Sequence, residues 1–157
     1  MPSIISAVDL EVVRVTSLDE MRQALHVRRR VFIEEQRVPE DLEIDEHDAD
    51  PATVTTAIHV IARLNGEPVA TGRLLLDEHD GNLHIGRVAV LAAQRRRGLG
   101  RAVMLALHDL ARERAATSIT LGAQLHAIGF YERLGYTARG DVFLDAGIEH
   151  RWMDLTL

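Results

Sequence analysis

A chain of 157 residues with no cysteine and a formal charge of −6 at neutral pH is long enough to bury a core of its own and excludes disulfides, a thiolate zinc site and a cysteine nucleophile. The acidic balance argues against a nucleic-acid surface, which needs a basic face; the arginines are instead concentrated at 28–30 and 95–97. No stretch approaches the length of a membrane span, and the N-terminal MPSIISAVDLEV lacks the basic start and long apolar run of a targeting signal. The expectation is one domain over residues 1–157, cytoplasmic, with neither a membrane nor a nucleic acid as partner.

Taken in order, Glu11 to Val15 alternates polar and apolar residues, as a half-buried first strand does. Ser17-Leu18-Asp19-Glu20 is a capping box, and Leu18, Met21 and Leu25 follow at helical spacing, predicting a helix to about Phe32. The run Val31 to Pro39 ends it, because the residue before a proline is pushed out of helical geometry. Residues 40–51, EDLEIDEHDADP, read as a solvated acidic loop. Their carboxylates lack the ordered spacing and turn glycine of a calcium loop, so no metal is assigned.

Ala57 to Leu64 and Pro68 to Leu76 flank Asn65-Gly66, a strong hairpin signal, and Asp80-Gly81 makes a second turn before a strand from Leu83 to Val90. The next stretch, Leu91 to Arg101, carries three consecutive arginines and two glycines into an amphipathic helix predicted over Arg101 to Arg114. Such a junction suits an anion. N–H groups at a helix start lack intrahelical partners, glycines allow close backbone approach, and arginines add charge-assisted hydrogen bonds. It is neither a P-loop nor a dinucleotide fingerprint, whose glycine spacing it lacks, and by itself it also fits an ordinary strand-to-helix turn. Ser118 to Ala123 returns as a strand, which after a helical crossover lies parallel to its predecessor. A short helix from His126 to Leu134 stops at Gly135, and the tail alternates about a turn at Ala146-Gly147. The fold class is α+β, a mixed, mainly antiparallel sheet with helices on both faces.

The order of elements and two motifs together resemble the GNAT superfamily of N-acetyltransferases over nearly the whole chain. Arg95-Arg96-Arg97-Gly98-Leu99-Gly100 matches that family's Gln/Arg-x-x-Gly-x-Gly/Ala signature between fourth strand and third helix, and Phe130-Tyr131-Glu132-Arg133-Leu134-Gly135-Tyr136 looks like its late helix. VFIEEQRVP and GIEHRWM further resemble the ElaA-like branch. The resemblance implies acetyl coenzyme A as co-substrate, no metal, and an amine acceptor, either a small molecule or a protein amine. A homodimer is left open. It also implies a bulge on the Leu83–Val90 strand that splays it from the Ser118–Ala123 strand. The pantetheine arm then lies along the backbone of Val88, Ala89 and Val90, and the pyrophosphate rests on the loop of Arg95, Arg96, Arg97, Gly98, Leu99, Gly100 and Arg101. Gln124 stands where many relatives carry an asparagine that contacts pantetheine.

A thioester attacked directly by an amine requires a base for the ammonium, support for an oxyanion and a proton for the departing thiolate. The N–H of Val90 is the simplest oxyanion donor. Tyr131 resembles the family's thiolate-protonating tyrosine. For the base, His84 occupies the position where some relatives carry a glutamate, and a neutral imidazole takes a proton near pH 7; Glu35 is the second candidate, and His150 and Glu34 rank below both. Two rival readings stand beside the enzyme: a non-catalytic acetyl coenzyme A sensor and a nucleotide-phosphate-binding domain.

Overall fold

The computed structural model describes residues 9–157, apart from the side chains of Glu78 and His79; the part of the N-terminal pattern in residues 1–8 lies outside the described residues. Strand β1 (Leu10–Arg14) and helix α1 (Leu18–Arg28) lead into a π-helical segment, Arg29–Glu35, and a short α2 (Glu40–Glu43). Strands β2 (Ala57–Leu64), β3 (Glu67–His79) and β4 (Asn82–Val90) form a meander. Then come α3 (Leu99–Glu113), β5 (Ser118–Gln124), α4 (Ile128–Arg133), β6 (Thr137–Asp145) and β7 (Ile148–Thr156). One seven-stranded sheet runs in the order β1-β2-β3-β4-β5-β7-β6. Its ladders are antiparallel except β4 with β5, which are parallel, as the helical crossover requires. The α+β expectation holds.

The turns follow from local chemistry. Asn65-Gly66, Asp80-Gly81 and Ala146-Gly147 all place both central residues at positive φ, the I′ geometry whose twist matches two-residue hairpins. Ser17 caps α1 by accepting from the Glu20 N–H. Glu20 reaches one residue further back than a capping box requires, to the N–H of Thr16, because Arg63 also holds its carboxylate.

Helix α3 packs Val103, Leu107 and Ala111 onto the sheet, in a core that also takes Ile58, Leu74, Ile119 and Met153. Gly72 makes the close approach of α3 to β3 workable: a Cβ there would lie 2.9 Å from both Leu107 and Val103. On the other face α1 sets Met21 and Ala24 against Val15 and Ile61, and Val27 with Val31 against Ala89.

The predicted helix to Phe32 is α-helical only as far as Arg28 and then widens to π geometry, closed by a 3.0 Å bond from the Gln36 N–H to the Val31 carbonyl. The acidic loop is a correction. Residues 40–51 are not uniformly solvated: Glu43 and Asp48 are buried against the buried guanidinium of Arg28, at 2.9 and 2.6 Å. Hydropathy alone reads a carboxylate as exposed, and the partner that reverses this lies on another element.

Candidate active site

The site grows out of a fault in the sheet. Between β3 and β4 the register passes from Thr71 opposite Ala89 to Arg73 opposite Gly86, so β4 carries one extra residue. Arg87 sits at this bulge with φ of 54°, a left-handed conformation that a non-glycine residue keeps only when its surroundings hold it. They do so here: its guanidinium donates to the Glu43 carbonyl at 3.0 and 3.2 Å and lies 3.0 Å from the Glu43 carboxylate.

Beyond the bulge, β4 leaves its other neighbour. Pairing with β5 runs from Asn82 opposite Ser118 to His84 opposite Thr120 and stops there, so a gap opens along β4 up to Val90. Leu91 donates its N–H to Val69 on the β3 side. By strand alternation the N–H of Val90 faces the gap. The carbonyl of Val90 accepts from Arg95 Nε at 3.0 Å.

The gap ends on the arginine-glycine loop. Arg96 and Gly98 both take positive φ, 66° and 78°, and Gly98 is the N-cap of α3. Among the described residues, the N–H groups from Arg96 to Arg101 donate to no protein acceptor. Unpaired donors at a helix start and the helix dipole together favour an anion there. Gly100 faces Phe130, whose Cζ would be 3.2 Å from a Cβ at that position. Arg95 is already engaged by Glu35 through two bonds of 2.7 and 2.8 Å, whereas the side chains of Arg96, Arg97 and Arg101 are exposed.

A cavity of about 920 Å³ connects this loop to the β6–β7 hairpin and is lined by each of Glu35, His84, Gln124 and Tyr131. It also touches Val88, Ala89, Val90, Arg95, Arg96, Gly98, Leu99, Gly100 and Arg101; Arg97 is not part of its lining. Tyr131 stands on α4, buried edge-on against Phe130 and Tyr136 at ring distances of 5.0 and 5.8 Å. Burial pushes its hydroxyl up to about 12, so it keeps its proton at neutral pH. Gln124 and Gln36 exchange two amide hydrogen bonds of 2.8 and 3.0 Å, which ties the end of the π segment to β5. His84 is exposed on β4 with its ring 6.3 Å from that of Trp152. The hydrogen bonds from Arg95 hold the Glu35 carboxyl below the usual carboxylate range.

Several residues of this cavity escape sequence reasoning. Arg73, Arg87 and Glu43 line it as part of an ionic cluster in which Arg73 pairs with Asp45 at 2.7 Å and with Asp48 at 3.3 Å. Nothing in the spacing of these residues announces their convergence. Phe143 and Trp152 line the other end together with His150, the lower-ranked base candidate; here a signal existed, since His150 and Trp152 are two apart on a strand and so share a face.

The sequence pattern of the acetyltransferase (GNAT) family matches residues 18–136, a span that takes in the bulge, the loop and α4. The chain belongs to the GNAT acetyltransferase family. Its reaction class is acetyl transfer. Among relatives of this GNAT chain, YyaT of Bacillus subtilis is 35% identical over 141 residues, covering 90% of the chain and 92% of the relative. The solved structure of an acyl-CoA N-acyltransferase from Pseudomonas aeruginosa superposes with a TM-score of 0.76 at 32% identity, over 94% of this chain and 99% of that one. Escherichia coli ElaA superposes at 0.78 with 26% identity, covering 94% and 99%, in keeping with the ElaA-like branch. In this GNAT chain no helix among the described residues is long and apolar enough to cross a membrane.

Proposed function

We propose that this chain transfers the acetyl group of acetyl coenzyme A directly to a primary amine, with the thioester arm in the β4–β5 gap and the pyrophosphate on the N–H groups from Arg96 to Arg101. The observation that carries this reading is a strand edge left unpaired from the bulge to Val90 that leads into a helix start whose donors are unused. An extended, amide-bearing arm adds to such an edge as a strand would, and a doubly charged pyrophosphate suits the helix start. The bare face of Gly98, with no heavy atom within 4 Å of where a Cβ would stand, keeps the approach open.

The chain's own groups can serve each requirement of the reaction. The amine nitrogen forms its bond to the acetyl carbon as the carbon–sulfur bond breaks. The Val90 N–H supports the oxygen on which charge develops, Tyr131 gives its hydroxyl proton to the departing sulfur, and the proton shed by the newly acylated nitrogen restores the tyrosine hydroxyl. Before attack, the acceptor ammonium must lose a proton, and His84, open at the acceptor end of the cavity, is the base we assign. Glu35 serves less well there. Its carboxylate is already satisfied by Arg95, which lowers its proton affinity; its service is to fix Arg95 across the mouth of the gap. Gln124 likewise spends its amide on Gln36 and acts as a strap rather than a free ligand. One catalytic domain over the whole chain fits these assignments.

Isothermal titration with acetyl coenzyme A, coenzyme A, ATP and NAD, followed by thiol release in the presence of amines, tests the reading. Tight binding of the two coenzyme A species and amine-dependent thiol release are expected. Equal affinity for ATP would support a general nucleotide-phosphate site instead, and binding without turnover of any amine would support a sensor.

A further inference from the structure

The acceptor end of the cavity has an uncommon wall. On β7, Trp152 lies opposite Gly122 and His150 opposite Gln124 of β5, while Phe143 of β6 pairs with His150. The Phe143 ring stacks between the other two at an interplanar angle of 25° to each, 4.7 Å from Trp152 and 5.7 Å from His150. Beneath them β5 is bare. Gly122 is exposed, and a Cβ there would lie 3.3 Å from Phe143 Cζ and 3.6 Å from Trp152 Cζ3. Trp152 remains 37% exposed although it lines the cavity. The partly exposed Trp152 ring is thus presented to the cavity where the acceptor must enter, backed by Phe143 and with the His84 ring 6.3 Å away.

The charges around this wall are equally selective. Of the carboxylates that line the cavity, Glu35 is closed by Arg95 and Glu43 by Arg28 and Arg87, which leaves Asp145 at the hairpin end with no ion pair among the described residues. Arg73 and Arg87 lie at the opposite end of the cavity and are neutralised there by Glu43, Asp45 and Asp48. A polyamine or an aminosugar brings several charges and hydroxyls that need several free acceptors, and the lining offers, among the described residues, one carboxylate without an ion pair. A single ammonium on a flat apolar body fits: its ring stacks offset on the partly exposed Trp152, and the cation gains from the π face.

We propose that the acceptor is a small primary amine carried on an aromatic body, and that Phe143, His150 and Trp152 above Gly122 form the wall that selects it. The proposal rests on the acetyl-transfer reading above and names the substrate class of the same site.

The test compares kcat/KM for 2-phenylethylamine, its saturated cyclohexyl counterpart, spermidine, an aminoglycoside and a lysine-containing peptide, in the parent chain and in Trp152→Leu and Phe143→Leu. Leucine keeps apolar bulk and removes the ring. The parent should prefer the aryl amine over its saturated counterpart by roughly tenfold, the scale of well-placed ring contacts. Trp152→Leu should bring that ratio to about one while acetyl coenzyme A affinity by calorimetry and the melting temperature stay near parent values. Faster turnover of spermidine, the aminoglycoside or the peptide would overturn the substrate class and leave acetyl transfer standing. So would an aryl preference unchanged in both variants, which reduces the stack to hairpin packing. Absence of acetyl coenzyme A binding in the parent removes the underlying reading and the proposal with it.

Discussion

Burial leaves the Tyr131 phenolate poorly solvated and pushes the hydroxyl up to about 12, so it stays protonated throughout the neutral range and is a weaker acid than an exposed tyrosine. Phenylalanine in its place deletes the hydroxyl and preserves the edge-on packing with Phe130 and Tyr136, so Tyr131→Phe should leave the melting temperature and cofactor affinity near their parent values. Single-turnover acetyl transfer should fall by about 10²-fold, the low end for general acid catalysis, because a thiol with a pKa of roughly 8.5 departs tolerably without a proton. Parent-like turnover would reduce Tyr131 to a core aromatic. Arg28 is a different kind of buried polar residue. Its guanidinium neutralises Glu43 and Asp48 in the interior. Arg28→Met should cost about 3–5 kcal/mol in urea denaturation, since it leaves two carboxylates desolvated and without their shared partner. A loss under about 1 kcal/mol would mean that Arg73 and Arg87 take over the neutralisation.

At the scale of elements, the β4 bulge, the arginine-glycine loop and the start of α3 work as a unit. The bulge opens the strand edge, and Arg96 and Gly98 turn the chain through positive φ into a helix start with unpaired N–H groups. Gly100→Val would bring a branched side chain against Phe130 and Val90 beside these groups, and calorimetry should show acetyl coenzyme A binding lost. Unchanged affinity in Gly100→Val would remove the loop from the site. Cofactor affinity should also fall as salt rises, because partly exposed charges are screened over about 8–10 Å. With Arg95 committed to Glu35, the salt dependence belongs to Arg96, Arg97 and Arg101. Replacing these by glutamine should flatten it, and replacing Arg95 alone should not.

For the whole molecule, the ionic cluster is what fastens residues 40–50 across the sheet and braces the bulge from behind. It joins Arg28 of α1, Arg73 of β3 and Arg87 of β4 to Glu43, Asp45 and Asp48. Burial raises the Asp45 carboxyl, but the hydrogen bonds and charge of Arg73 outweigh burial and hold it well below the usual carboxylate range. A depressed folded-state pKa contributes stability that is present above the unfolded value, near 3.9, and is lost as pH falls below it. Urea midpoints should therefore drop between about pH 4 and pH 2, and Asp45→Asn should lower stability at neutral pH while making that drop shallower. An identical pH slope in Asp45→Asn would show that other carboxylates carry the acid sensitivity.

Sequence by itself determined whatever depends on near neighbours. Asn65-Gly66 and Asp80-Gly81 specify hairpins through the backbone geometry of the turn residues, Ser17 specifies a cap, and Gly98 and Gly100 before an amphipathic run specify a helix start with unused donors. Because these local features recur in one order, the element sequence and the helix start with its unpaired N–H groups were legible. Tertiary structure alone decided the rest. The acidic run at 40–50 turned inward because Arg28, Arg73 and Arg87 arrive from three other elements to neutralise it. Glu35 is paired because the chain returns Arg95 to it sixty residues later. Phe143, His150 and Trp152 became one wall because the β6–β7 register stacks their rings and Gly122 leaves room above β5. In each case a charge or ring takes its role from partners distant in the chain, and linear spacing carries no record of which side chains the fold will bring into contact.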